Sequence, residues 1–115
     1  WGIVSATRLA MGRAVDELDG HVDALLVDYV RLPNIELPQQ ALPKADCHCL
    51  SVAAASIVAK VERDRLMVTL DETHPGYGFA RHKGYGTPEH REALADLGPS
   101  TIHRMSWRPM RETLI

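Results

Sequence analysis

The chain has 115 residues, of which 45% are hydrophobic and 24% charged, and its formal net charge is -2. These totals fit one small soluble globular domain, leave no room for two, and include no apolar run long enough to cross a bilayer. A slight excess of acid argues against a protein that coats nucleic acid nonspecifically, since phosphate binding draws on surplus Lys and Arg.

Trp1 stands where Met would, and Ile3, Leu9, Ala10, Ala14, Val15 and Leu18 recur at roughly helical spacing up to Asp19-Gly20. This opening helix lacks a convincing start signal, which suggests a piece of a longer protein. The apolar run from Asp23 to Asp28 (DALLVD) predicts a buried parallel strand with Asp28 at its carboxyl end. Residues 29 to 45 hold Pro33, Pro38 and Pro43 and little periodicity, so a connection is expected, with a brief extended piece near Ile35. From about Leu50 to Thr73 runs the longest helical pattern, apolar nearly all round from Val52 to Ala59. Its first turns are expected buried and its last ones solvated, with the charged pairs Glu62 with Arg65 and Lys60 with Asp64. His74 to His90 (HPGYGFARHKGYGTPEH) reads as a structured loop until Thr87-Pro88, an N-cap and first-turn proline that start a helix ending at Gly98. Ser100 or Thr101 then caps a further short helix, stopped at Arg108-Pro109.

No leader-like segment opens the chain, and Cys47 and Cys49 are too close for an unstrained mutual disulfide, so reduced thiols and a cytoplasmic location are expected. Residues 1 to 46 carry four basic and seven acidic side chains, against six basic and four acidic in residues 79 to 115. Any surface suited to a polyanion is therefore C-terminal.

Open α/β sheets place ligands at the carboxyl edge of the strands, which makes Asp28 a candidate, with a solvated strand end as the plainer reading. Asp46, ahead of the long helix, is favoured by the helix dipole, and N-capping alone accounts for it. Together the two could converge on a divalent ion, and hard oxygen donors suit Mg2+ or Mn2+. Such a pair is half a site. Cys47-His48-Cys49 has no partner cysteine elsewhere, and alternate residues of an extended segment point opposite ways, which disfavours zinc. His74, His82, His90 and His103 match no helical metal pair and read as surface hydrogen-bonding groups. Lys60, one turn beyond Ser56, is either a buried lysine serving sheet-edge carboxylates or a surface partner of Asp64. Tyr85, between Gly84 and Gly86, can stack on a sugar or base; Tyr77 has the same setting, and spacing does not choose between them. His82 and Lys83 alongside could contact phosphate.

KADCHCLSVAAASIVAKVERDRLM, HPGYGFARHKGYGTPEH and LGPSTIHRMSW, with ATRLAMGRAV and LLVD, together resemble the C-terminal half of ribonuclease HII, in order and spacing, over nearly the whole chain. The resemblance implies a ribonuclease-H-like α/β fold, here a fragment with part of the central sheet and the C-terminal helices. It also implies an endonuclease that cuts the RNA strand of RNA·DNA hybrids, including single ribonucleotides in duplex DNA, leaving a 3′-hydroxyl and a 5′-phosphate. Of the family's four active-site carboxylates, the third falls on Asp28 and the fourth on Asp46, which would hold Mg2+ or Mn2+ for two-metal hydrolysis. The junction-sensing tyrosine falls on Tyr85. Ser51, Lys60 and His103 occupy family motif positions with supporting roles in substrate binding, and Lys83, read above as a phosphate contact, joins them as a substrate-binding candidate.

Three departures accompany it. The first two carboxylates, in an Asp-Glu-Ala-Gly-Arg-Gly segment, are absent together with that Gly-Arg-Gly loop. Tyr29-Val30-Arg31 stands where Gly-Asn-Arg is commoner, and Cys47-His48 stands where a small residue and Lys are usual. A monomer without membrane association is expected, inactive by itself. The alternatives are a noncatalytic nucleic-acid-binding module that kept the fold, or a Cys-His-Cys metal protein. An Asp-Glu pair on a strand upstream of Trp1 would favour the enzyme.

Overall fold

The computed structural model describes residues 2–107 and Met110. Along the chain run α1 (Ile3–Asp16), β1 (Leu25–Asp28), β2 (Gln39–Leu42), α2 (Ala45–His48), α3 (Leu50–Thr73), α4 (Phe79–His82) and α5 (Pro88–Leu97), a mixed α/β arrangement. Its contacts gather into two compact units, residues 1–58 and 59–115.

In the first unit, β1 and β2 pair in parallel, from Leu25 against Gln39 to Asp28 against Leu42. The segment between them folds onto the side chain of Gln39. Its amide nitrogen donates to the carbonyls of Leu32 and Ile35, both at 2.7 Å, and its oxygen accepts from Leu32 N at 3.0 Å. The extended piece expected near Ile35 therefore lies later, at Gln39–Leu42: Ile35 N bonds back to Leu32 O, so the chain turns there and extends only after Pro38. Among the described residues of this unit, Val27, Leu32 and Ala45 are the buried apolar ones. Helix α1 has an N-cap, Gly2, without a side-chain bond, in keeping with the missing start signal, and buries none of its residues.

Lys44, in the left-handed region at φ 53°, turns the chain into α2, a single helical turn that breaks at Cys49. Asp46, Cys47 and His48 thus sit on a helical turn, not on the extended linker expected of the triplet, because Cys47 N and Cys49 N bond back to Lys44 O and Ala45 O. The burial expected of α3 is also reversed. Leu50 is 86% exposed, Ile57, Val58 and Val61 are open to solvent, and the buried residue is Met67 in the second half. Apolar composition marks a face as coverable, but burial needs a facing surface, and the sheet among the described residues has only two strands.

The second unit is built around Phe79, packed with Met67, Tyr77, Leu94 and Met110 and flanked by Leu70 and Ala93. Burying a side chain of Phe79's size contributes about 1.5–3 kcal/mol. Phe79 starts α4, a one-turn helix inside the segment expected to be loop, entered through Gly78 and left through Lys83, both at positive φ. Helix α5 begins and ends as predicted. Thr87 Oγ accepts from His90 N at 3.2 Å, Pro88 occupies the first turn, and Gly98, at φ 72°, donates its N–H to Leu94 O at 3.0 Å. Residues 100–107 form turns in place of the short helix expected there, and the predicted stop at Arg108-Pro109 lies outside the described residues. No helix among the described residues is long and apolar enough to cross a membrane.

Candidate active-site carboxylates and tyrosine loop

Strand β1 ends at Asp28, and the chain then reverses sharply. Tyr29 takes φ 64°, donating its N–H to Leu42 O at 3.0 Å, and Val30 N closes on Asp28 O at 2.7 Å. This leaves the Asp28 side chain exposed at the sheet edge, where its Oδ1 accepts from Ala45 N at 3.1 Å. Asp28 is therefore the cap of α2, although 17 residues away in sequence, and Asp46 is the residue that follows the capped amide. The Asp28 carboxylate is thus placed at the helical turn that bears Asp46, by the parallel pairing of β1 with β2.

The pair fits a divalent cation in kind. Both are solvent-exposed, offer hard oxygens, and spend only one of Asp28's two oxygens on the cap. Among the described residues no group of three or more His, Cys, Asp or Glu side chains is placed to hold a metal. Cys47 is exposed on the same turn. Ser51 lies exposed in the first turn of α3.

The structure separates the two tyrosines that spacing left equivalent. Tyr77 is buried, stacked on Phe79 at 5.3 Å, with its hydroxyl donating to Gly98 O at 2.8 Å. Tyr85 is 59% exposed, with the Arg63 guanidinium 5.8 Å from its ring centre. Its backbone, by contrast, is fully engaged: Tyr85 N donates to His82 O, and Tyr85 O accepts from both Thr87 N and His90 Nδ1.

Two of the histidines read as surface groups are core residues. His82 and His90 are each 6% exposed and stack on one another at 4.3 Å, with Phe79 edge-on to both. Both ring nitrogens of His82 are occupied by backbone, Tyr77 O at 2.7 Å and Gly84 N at 3.1 Å, so it is not presented to a phosphate. His103 is half-buried, bonded through Nδ1 to Ser100 and through Nε2 to His90 Nε2 at 3.2 Å. Burial holds the His90 and His103 imidazoles below their usual pKa, and at His103 the neighbouring His90 adds to the effect. In sequence each of these histidines looks ordinary, and only their convergence on Phe79 distinguishes them.

Lys60 takes the surface alternative. Its ammonium lies 2.8 Å from Asp64 Oδ2 on an exposed face of α3, and that bond raises the lysine's pKa and lowers the aspartate's. Lys83 turns its ammonium onto Ala80 O, while its own carbonyl accepts from Arg63 at 2.7 Å.

A family model described as Ribonuclease HII matches residues 2–110. Proteins named Ribonuclease HII are similar over nearly all of this chain: that of Chloroflexus aggregans is 57% identical over 114 residues, covering 99% of the chain and 54% of the relative. The Dehalococcoides mccartyi protein is 54% identical over 110 residues, covering 96% and 52%. The Thermus thermophilus protein is 55% identical over 111 residues, covering 96% and 54%. The chain spans about half the length of the curated relatives it matches.

Proposed function

The chain belongs to the ribonuclease HII family, and on that premise we propose that it supplies two metal-binding carboxylates and a stacking tyrosine to an endoribonuclease acting on RNA·DNA hybrids and on single ribonucleotides in duplex DNA. The observation that carries this reading is the bond from Ala45 N to Asp28 Oδ1, which brings Asp28 to the turn bearing Asp46.

In this reading Asp28 and Asp46 hold Mg2+ or Mn2+, with Asp28 oriented by the sheet edge and the Ala45 amide. Bound ions of this kind supply an activated water and neutralise charge on a leaving oxygen, to give a 3′-hydroxyl and a 5′-phosphate. Tyr85 offers its ring face to the sugar next to the ribonucleotide, and its rigid backbone means that little freedom is lost when it stacks. Ser51, Lys60, Lys83 and His103 support substrate binding, His103 from within the protein because both of its ring nitrogens are engaged.

The 115 residues carry two of the four carboxylates that the family resemblance implies, so this chain is expected to bind a ribonucleotide-containing duplex without cutting it. Cleavage by the purified chain, abolished by Asp46→Asn, would overturn that expectation. The metal assignment is tested by titrating the chain with Mn2+ and following paramagnetic broadening of its amide resonances. Broadening centred on residues 28–30 and 44–48, and lost in Asp28→Asn, supports it. Broadening elsewhere, or unchanged in that variant, sinks it.

A further inference from the structure

We propose that His82 and His90 are positioning residues for Tyr85: the two stacked imidazoles hold the backbone that presents it, and His103 fixes which nitrogen of His90 does so. The inference rests on the reading of Tyr85 as a stacking residue, and it names what aims that residue.

The hydrogen bonds leave no choice of proton placement. A carbonyl only accepts, so the bond to Tyr77 O requires a proton on His82 Nε2; an amide only donates, so Gly84 N–H requires a bare His82 Nδ1. Tyr85 O likewise requires a proton on His90 Nδ1, at 2.9 Å. At the far end, Ser100 N–H donates to His103 Nδ1 at 2.9 Å, which puts the His103 proton on Nε2, facing the bare His90 Nε2. The chain of bonds runs in one direction, from Ser100 through His103 and His90 to the carbonyl of Tyr85. Both imidazoles in it, His103 and His90, are neutral and in a defined tautomer.

The effect is confined to a short stretch. Lys83 O is taken by Arg63, Gly84 N by the His82 ring, Tyr85 N by His82 O, and Tyr85 O by the His90 ring. Lys83 and Gly84 are both at positive φ, and a side chain at Gly84 would press within 3.2 Å of Met67 Cε. A backbone held at four successive points thus carries an exposed ring. That arrangement orders a contact residue before its ligand arrives.

The first test uses the unmodified chain. Imidazole 15N NMR above pH 7.5 should find the proton of His90 on Nδ1 and those of His82 and His103 on Nε2. His90 protonated on Nε2 would overturn the proposal. The second is a double-mutant cycle on binding of a fluorescein-labelled DNA duplex carrying one ribonucleotide, read by anisotropy. His90→Leu should weaken binding about 5-fold, and His90→Asn, which keeps a donor at the δ position, should recover part of the loss. In a Tyr85→Ala background His90→Leu should add nothing; additive losses would show a general structural role and refute positioning. Should Tyr85→Ala itself leave binding unchanged, the stacking reading fails. Positioning is then decided by amide exchange: faster exchange at Gly84 in His82→Leu upholds it, and unchanged exchange refutes it.

Discussion

Tyr77→Phe and Tyr85→Ala should separate stability from binding. Replacing Tyr77 by Phe keeps the ring stacked on Phe79 and removes only the hydroxyl bond to Gly98 O, a neutral hydrogen bond of 2.8 Å. Such a loss costs about 1 kcal/mol, on the order of a 4 °C fall in Tm for a chain of this size. Deleting the ring altogether, Tyr77→Ala, should cost about 3–5 kcal/mol, because a buried aromatic leaves a cavity next to Phe79. Tyr85 is exposed, so Tyr85→Ala should change stability by less than about 0.5 kcal/mol. Its loss should fall on binding instead, about 1–3 kcal/mol for a stacking contact, or roughly 5- to 150-fold in Kd. Thermal melting followed by circular dichroism reads the first quantity, and anisotropy with a ribonucleotide-containing duplex reads the second. The reasoning is refuted if Tyr85→Ala lowers Tm more than Tyr77→Phe does, or if Tyr77→Phe weakens binding as much as Tyr85→Ala.

Tyr29→Gly should stabilise the chain by about 0.5–1 kcal/mol, since a left-handed residue with a Cβ costs about 1–2 kcal/mol and glycine gives back about half through its freer unfolded state. Tyr29 is exposed, so no packing is lost; a lower urea midpoint in the variant would count against the turn described at Asp28. Asp28→Ala should cost about 1 kcal/mol by uncapping Ala45 N, whereas Asp28→Asn keeps an oxygen there and should melt close to the parent; equal losses in the two variants would contradict the cap. Stability should fall as the pH drops from 8 towards 6 and below. His90 and His103 have folded pKa values under 6.5, chiefly from burial, so the unfolded chain takes up protons first, and the contribution present above 6.5 is lost as the pH falls towards the folded values. Urea unfolding at a series of pH values measures this, and a midpoint that stays flat or rises on acidification between pH 8 and 6 would refute it.

The parts of the fold legible in sequence are those in which a residue type acts on its own backbone. Thr87, Pro88 and Gly98 delimit α5 because a cap oxygen, a fixed φ and a tolerated positive φ are local properties. Strand β2 was not legible: Gln39–Leu42 has neither alternation nor β-branching, and it is a strand because β1 pairs with it. The exposure of Leu50, Ile57 and Val58 departs from the expected burial for a related reason, since a run of apolar letters does not say what lies opposite. In the candidate site, Asp28 and Asp46 were legible through motif context, and the structure added that one caps the turn bearing the other. Which tyrosine is exposed, and the roles of His82 and His90, depend on contacts across 5 to 21 residues of sequence and leave no local trace.

The bond from His103 to His90 also ties the tyrosine loop to the turn beyond α5. Thr87 and Pro88 start α5 with local contacts alone, whereas the bond on Tyr85 O is backed by a relay that begins at Ser100 and passes through His103 and His90. Tyr85 O, one of the four points at which the loop is held, thus depends on a side chain whose own second nitrogen is matched by His103, so removal of the His103 ring would leave His90 Nε2 without its partner while the other three points stay in place.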